Sequence, residues 1–79
     1  MVEAIVLIQV RPGPPGRAVS KEVAAIRGVV SAEDVSGPYD VIARAQARSL
    51  DELGKLVVAK IQGLYGVVRT MTCPVVHLE

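Results

Sequence analysis

The chain has 79 residues, a formal net charge of +1 and 51% apolar residues, with no Trp, no Phe and only Tyr39 and Tyr65 as aromatics. This length accommodates one small domain over residues 1–79, and nine basic against eight acidic residues exclude the broad basic footprint that gives nonspecific nucleic-acid affinity. The lone Cys73 excludes a disulfide framework and a cysteine-built zinc site, as expected of a reducing cytoplasm.

The apolar weight is aliphatic, with fifteen Val and five Ile, and such β-branched side chains favour strands. The longest apolar run, Ala4 to Ile8, falls far short of the ~20 residues that span a bilayer. Glu3 stands where a signal peptide would be basic. The reading is a cytoplasmic chain with no membrane contact. A domain this small is marginal alone, so its apolar surplus is expected to be covered by a second copy of itself.

Residues 1–10 read as a strand. Val2, Ala4, Val6, Ile8 and Val10 share one face and Glu3, Ile5, Leu7 and Gln9 the other; both are apolar in the middle, which marks a central strand covered on two sides. Arg11-Pro12-Gly13-Pro14-Pro15-Gly16 stops it, because proline cannot donate to a ladder. From Arg17 the period becomes helical, with Val19, Val23 and Ile26 on one face and Gly28 placed to end the helix in a left-handed conformation. Residues 29–36 return to strand character, and residues 37–40 form a turn. The next strand alternates Val41, Ala43, Ala45 and Ala47 against Ile42, Arg44, Gln46 and Arg48.

Ser49-Leu50-Asp51-Glu52 is a capping-box signature. The helix it opens carries Leu50, Leu53, Leu56 or Val57, and Ile61, and is expected to stop at Gly63. Residues 64–78 are mostly extended, interrupted at Cys73-Pro74, which suggests a bulge or an edge position. Ile26-Arg27-Gly28-Val29-Val30 after the first helix echoes Ile61-Gln62-Gly63, followed shortly by Gly66-Val67-Val68, after the second. The order βαββαβ predicts an α+β, ferredoxin-like fold: a four-stranded antiparallel sheet with both helices on one face. The other face, carrying Ile5, Leu7, Ile42, Arg44 and Met71, is expected to pair with a second copy, as in a dimeric α/β barrel.

Catalytic constellations are few. Cys73 and His77 lie four apart on an extended segment, about 13 Å by strand rise, too far for a nucleophile and base; a buried strand cysteine is the simpler reading. His77 has no partners at metal-ligand spacing. Glu33 and Asp34 are adjacent and point to opposite faces of a strand. The prolines of residues 12–16 remove the amides a phosphate cradle needs. No catalytic residue, metal or cofactor is therefore assigned. Arg44, Gln46 and Arg48 form either the polar margin of a dimer interface or an anion contact.

A tyrosine in the tight turn of residues 37–40 is the less ordinary feature. The run Val35-Ser36-Gly37-Pro38-Tyr39-Asp40-Val41-Ile42 resembles the G-x-Y-D-apolar hairpin of the effector-binding domain of the Lrp/AsnC transcription regulators. Ile26-x-Gly28-Val29, Asp51-x-Leu53 and Gly66-Val67-x-x-Thr70-x-Thr72 fall at that family's places, so the resemblance covers the whole chain. It implies a domain, here without the family's helix-turn-helix, that pairs through its sheets, assembles into octamers or other rings, and binds an amino acid or related metabolite between dimers. Carried over, Gly37, Tyr39, Asp40, Thr70 and Thr72 are the ligand-side residues, with Asp40 receiving an ammonium and the threonines a carboxylate. Pro38 stands where the family more usually has a polar residue. The partners implied are a second copy, an amino-acid-like effector and full-length Lrp/AsnC regulators, with no direct nucleic-acid contact. The alternatives are a cofactor-free monooxygenase-like dimeric barrel relying on His77, and an ACT-type amino-acid-binding module.

Overall fold

The alternation of β1 decides the architecture. In the computed structural model, which describes residues 1–12 and 18–76, β1 runs Val2–Val10 with Ala4, Val6 and Ile8 fully buried and Ile5 and Leu7 half-buried on the opposite side. β1 is central as predicted: it pairs antiparallel with β3 (Val41–Ala47) on one side and with β4 (Val67–Pro74) on the other. β2 (Val29–Asp34) borders β3, giving the order β2-β3-β1-β4. Residues 13–17 and His77 lie outside the described residues.

One face of the sheet is closed by helices. α1 (Val19–Ala24) buries Val19 and Val23, and the hydroxyl of its buried Ser20 donates to the Asp34 carboxylate of β2 at 3.1 Å. The second helix, residues 50–62, buries Leu53, Val57 and Ile61. These side chains meet Ala4, Val6, Ile8, Val41, Ala43 and Ala45 in a single core. The alanine row of β3 leaves room for the helices to approach closely.

Several expectations change in detail. α1 ends at Ala24, short of Ile26, and the left-handed Gly28 (φ 100°) belongs to the turn that follows. In the second helix, α-helical Leu50–Glu52 gives way to a π-helical stretch, Leu53–Val58, before Ala59–Gln62 resumes α geometry. In a regular α-helix, residues four apart drift by about 40°; the wider π turn offsets that drift, so Leu53, Val57 and Ile61 all reach the core while Leu50 is 55% exposed. Ser49 caps the helix by accepting the Glu52 amide at 3.2 Å, a contact of about 1 kcal/mol.

Gly63 does not end that helix through a left-handed conformation (φ −78°); Gly66 (φ 91°) takes that role three residues later. The internal echo therefore aligns Ile26-Arg27-Gly28-Val29 with Leu64-Tyr65-Gly66-Val67, so its Gly66-Val67-Val68 part holds and its Ile61-Gln62-Gly63 part does not. The backbone confirms the register: Val29 N–H donates to Ile26 C=O at 3.0 Å, and Val67 N–H to Leu64 C=O at 3.2 Å. The register shifts at Gln9/Val10 between β1 and β4 and at Val29/Ser31 between β2 and β3, so Cys73-Pro74 makes no bulge and takes the edge position instead. Pro74 is tolerated because it is the last residue of an edge strand. Cys73 is exposed, contrary to its reading as a buried strand residue, because its register partner Ile5 places it on the helix-free face.

Candidate functional site

The turn at residues 37–40 is held by its last residue. The Asp40 amide donates to Ile8 C=O at 2.9 Å, its carbonyl accepts the Val35 amide at 2.9 Å, and its carboxylate accepts the Val10 amide at 2.8 Å. Val10 lies at the irregularity where β1 leaves β4's regular register; a carboxylate there satisfies a backbone donor. Gly37 adopts φ 143° with open space where a Cβ would stand. The half-buried Tyr39 reaches along the helix-free face, where its hydroxyl contacts Met71 Sδ at 3.9 Å, a long and weak interaction. Nothing in the sequence joins Tyr39 to Met71; the strand order does.

The threonines lie elsewhere. Register partners in an antiparallel pair share a face, so Thr72, opposite Val6, and Thr70, opposite Ile8, stand on the helix side of β4. The Thr70 hydroxyl accepts from Gln62 Nε2 at 2.9 Å, tying the second helix to the edge strand. Asp40 borders an open cleft of about 370 Å³ between β1, β3 and the start of α1, together with Arg11 and Asp34. Thr70 borders a separate hollow of about 220 Å³ with Gln62 and Arg69. Of the five predicted ligand-side residues, Gly37, Tyr39 and Asp40 are together in the hairpin. Thr70 and Thr72 are on the far side of β1, roughly two strand spacings or 10 Å away.

The predicted interface residues do share one surface. Leu7 is the register partner of both Ile42 and Met71, and Ile5 of both Arg44 and Cys73. This places Ile5, Leu7, Ile42, Arg44 and Met71 on the face that no helix covers, with Ile42 36% and Met71 47% exposed. Arg44 donates to the Glu3 carboxylate at 3.1 Å, so this guanidinium already has a carboxylate partner within the chain. Arg48 lies past the end of β3 and turns to a cleft with Arg27 and Lys60. Among the described residues no group of three or more His, Cys, Asp or Glu could hold a metal, and no helix is long and apolar enough to cross a membrane.

Comparison with known proteins agrees with this geometry over the full chain. A crystal structure of the Thermus thermophilus protein TTHA0845 is similar at a TM-score of 0.85 and 33% identity, covering 100% of this chain and 98% of that one. The structure of FFRP-DM1 is similar at a TM-score of 0.83 and 28% identity, covering 96% and 100%. An uncharacterized HTH-type transcriptional regulator of Pyrococcus furiosus is 34% identical over 71 residues, 87% of this chain and 47% of that protein. The chain thus spans about half the length of the curated relatives it matches. The family model for the Lrp/AsnC ligand binding domain matches residues 3–77, a family of transcription regulators rather than enzymes, and the chain belongs to that family as its ligand-binding domain.

Proposed function

We propose that these residues form a ligand-responsive regulatory domain that pairs through the helix-free sheet face and binds an amino acid or related small metabolite between copies. The observation that carries this reading is the division of the candidate ligand groups. Tyr39 and Asp40 sit in the hairpin, Thr70 and Thr72 sit on the helix side of edge strand β4, and neither hollow of a single chain joins the two sets. A site containing all of them needs the hairpin of one copy at the β4 edge of another.

Each group has chemistry for an amino acid. A carboxylate offers about four lone-pair sites, so Asp40 retains capacity for a ligand ammonium beside its bond to the Val10 amide. The threonine hydroxyls and turn amides suit a carboxylate. Pro38 removes one amide donor from the hairpin and narrows the ligands it can hold. The apolar face of Ile5, Leu7, Ile42 and Met71, rimmed by the Arg44–Glu3 pair, supports a homodimer, which higher rings or mixed assemblies with full-length Lrp/AsnC regulators would extend. Under this reading the protein works in the cytoplasm, and contact with DNA is made by elements other than those described.

The test is isothermal titration of the protein against each of the twenty amino acids. Saturable binding of at least one, with a dissociation constant below about 1 mM, is expected. Silence from all twenty at millimolar concentration would overturn the ligand assignment.

A further inference from the structure

The two helix-to-strand turns of the internal repeat differ in a way the repeat does not require. Each turn ends in a left-handed glycine whose carbonyl accepts a neighbouring amide at 2.8 Å, Gly28 from Gln46 and Gly66 from Arg11. At the second turn the residue before the glycine is Tyr65, whose ring lies 5.7 Å from the Arg11 guanidinium. At the first turn the equivalent residue is Arg27. It faces an open cleft of about 490 Å³ that Arg48 and Lys60 also line, with Glu52 as the one acidic side chain among its lining residues.

The charge there is out of proportion to the chain. The cleft holds three cationic side chains against one carboxylate, an excess of two, while the whole chain carries +1. Among the described residues Arg44 pairs with Glu3 and Lys55 with Asp51, but Arg27, Arg48 and Lys60 make no ion pair. Three cations without an ion pair thus line one hollow, and their summed positive potential favours an anion there.

The cleft's floor is tightly built. A Cβ on Gly28 would stand 2.6 Å from Val57 Cγ2 and 3.2 Å from Gln46 C=O. Val57 belongs to the π-helical stretch Leu53–Val58, and π turns are rare and concentrate at functional sites.

We propose that this cleft binds a small non-aromatic anion of two or more charges, a phosphorylated or polycarboxylic metabolite. Arginine's planar fork of donors matches phosphate and carboxylate equally, and no aromatic ring lines the cleft to stack a base or ring. The volume lies within the range of small-molecule sites. This site is independent of the proposed effector position: Ala47 pairs with Val2 and Val41 with Ile8, so the two lie at opposite ends of β1, about 20 Å apart.

The experiment is an amide-resolved NMR titration of the full chain with inorganic pyrophosphate and, separately, with citrate, at constant ionic strength. Saturable shifts at Gly28, Gln46 and Arg48 are expected, and the arm that saturates at lower concentration distinguishes phosphate from carboxylate. The double variant Arg27→Gln/Arg48→Gln should weaken binding about tenfold or more, while Arg69→Gln should leave it unchanged; the same spectra report whether each variant is folded. The proposal is overturned if neither anion gives saturable shifts up to about 10 mM, if sodium chloride reproduces them, if the double variant binds equally well, or if only a short DNA duplex perturbs these amides.

Discussion

The carboxylate of Asp40 accepts the backbone amide of Val10 at 2.8 Å across thirty residues of sequence. One side chain thus closes the hairpin onto the central strand at the point where β1's register with β4 shifts. The same side chain is the proposed ammonium acceptor, so its structural and ligand roles need separating.

Replacing Asp40 does so. Asp40→Ala leaves the Val10 amide without its acceptor and should cost about 1 kcal/mol, read from urea unfolding midpoints. Asp40→Asn keeps an acceptor oxygen and should lose less than half of that, yet should weaken an amino-acid ligand as strongly as Asp40→Ala because the negative charge is gone. Equal stability losses in both variants would refute the hydrogen-bond role.

Two glycines of the helical layer make opposite predictions. At Gly28 (φ 100°) a Cβ would meet Val57 Cγ2 at 2.6 Å, so Gly28→Ala should destabilise by about 2 kcal/mol or more through strain and overlap. At Gly54 a Cβ meets nothing within 4 Å in an exposed helical position, so Gly54→Ala should stabilise by about 0.5–1 kcal/mol. Thermal unfolding of the two variants side by side checks both signs.

The helix-free face can be tested without touching the core. Ile42 faces away from Val41 and Ala43, which are buried under the helices. Ile42→Glu or Met71→Glu should therefore leave circular dichroism unchanged while reducing the mass measured by light scattering to the 8.4 kDa of one chain. A folded Ile42→Glu variant that keeps the wild-type mass would show that this face is not the interface.

The fold was legible because its signals are periodic. β1's alternation on both faces, the alanine row of β3 and the Ser49 cap each announce their structure locally, and together they dictate strand order and helix side. What escaped was where a period breaks. A π turn at Leu53–Val58 has no sequence signature distinct from an α-helix, so Leu50 read as core when it is exposed. Gly63 and Gly66 are both glycines near a helix end, and only backbone geometry shows which is left-handed. The candidate site was half legible. The hairpin residues stand together as their contiguity requires, whereas the side of the sheet that Thr70 and Thr72 occupy depends on a register with Ile8 and Val6 that a one-residue slip would invert. The cluster of Arg27, Arg48 and Lys60 was not legible, since those residues are far apart in sequence and meet only at the end of the folded sheet.

An effector site shared between copies can be rebuilt by mixing two defective chains. Asp40→Asn and Thr70→Ala/Thr72→Ala chains, each unable to bind the amino acid found by titration, are unfolded together at equal concentration, refolded, and titrated again. A site built from the hairpin of one copy and the β4 edge of another should reappear at about a quarter of the wild-type capacity, the share set by random pairing in a symmetric assembly. A mixture that binds no more than either variant alone, in assemblies shown by mass to be mixed, would show that the site is not shared between copies.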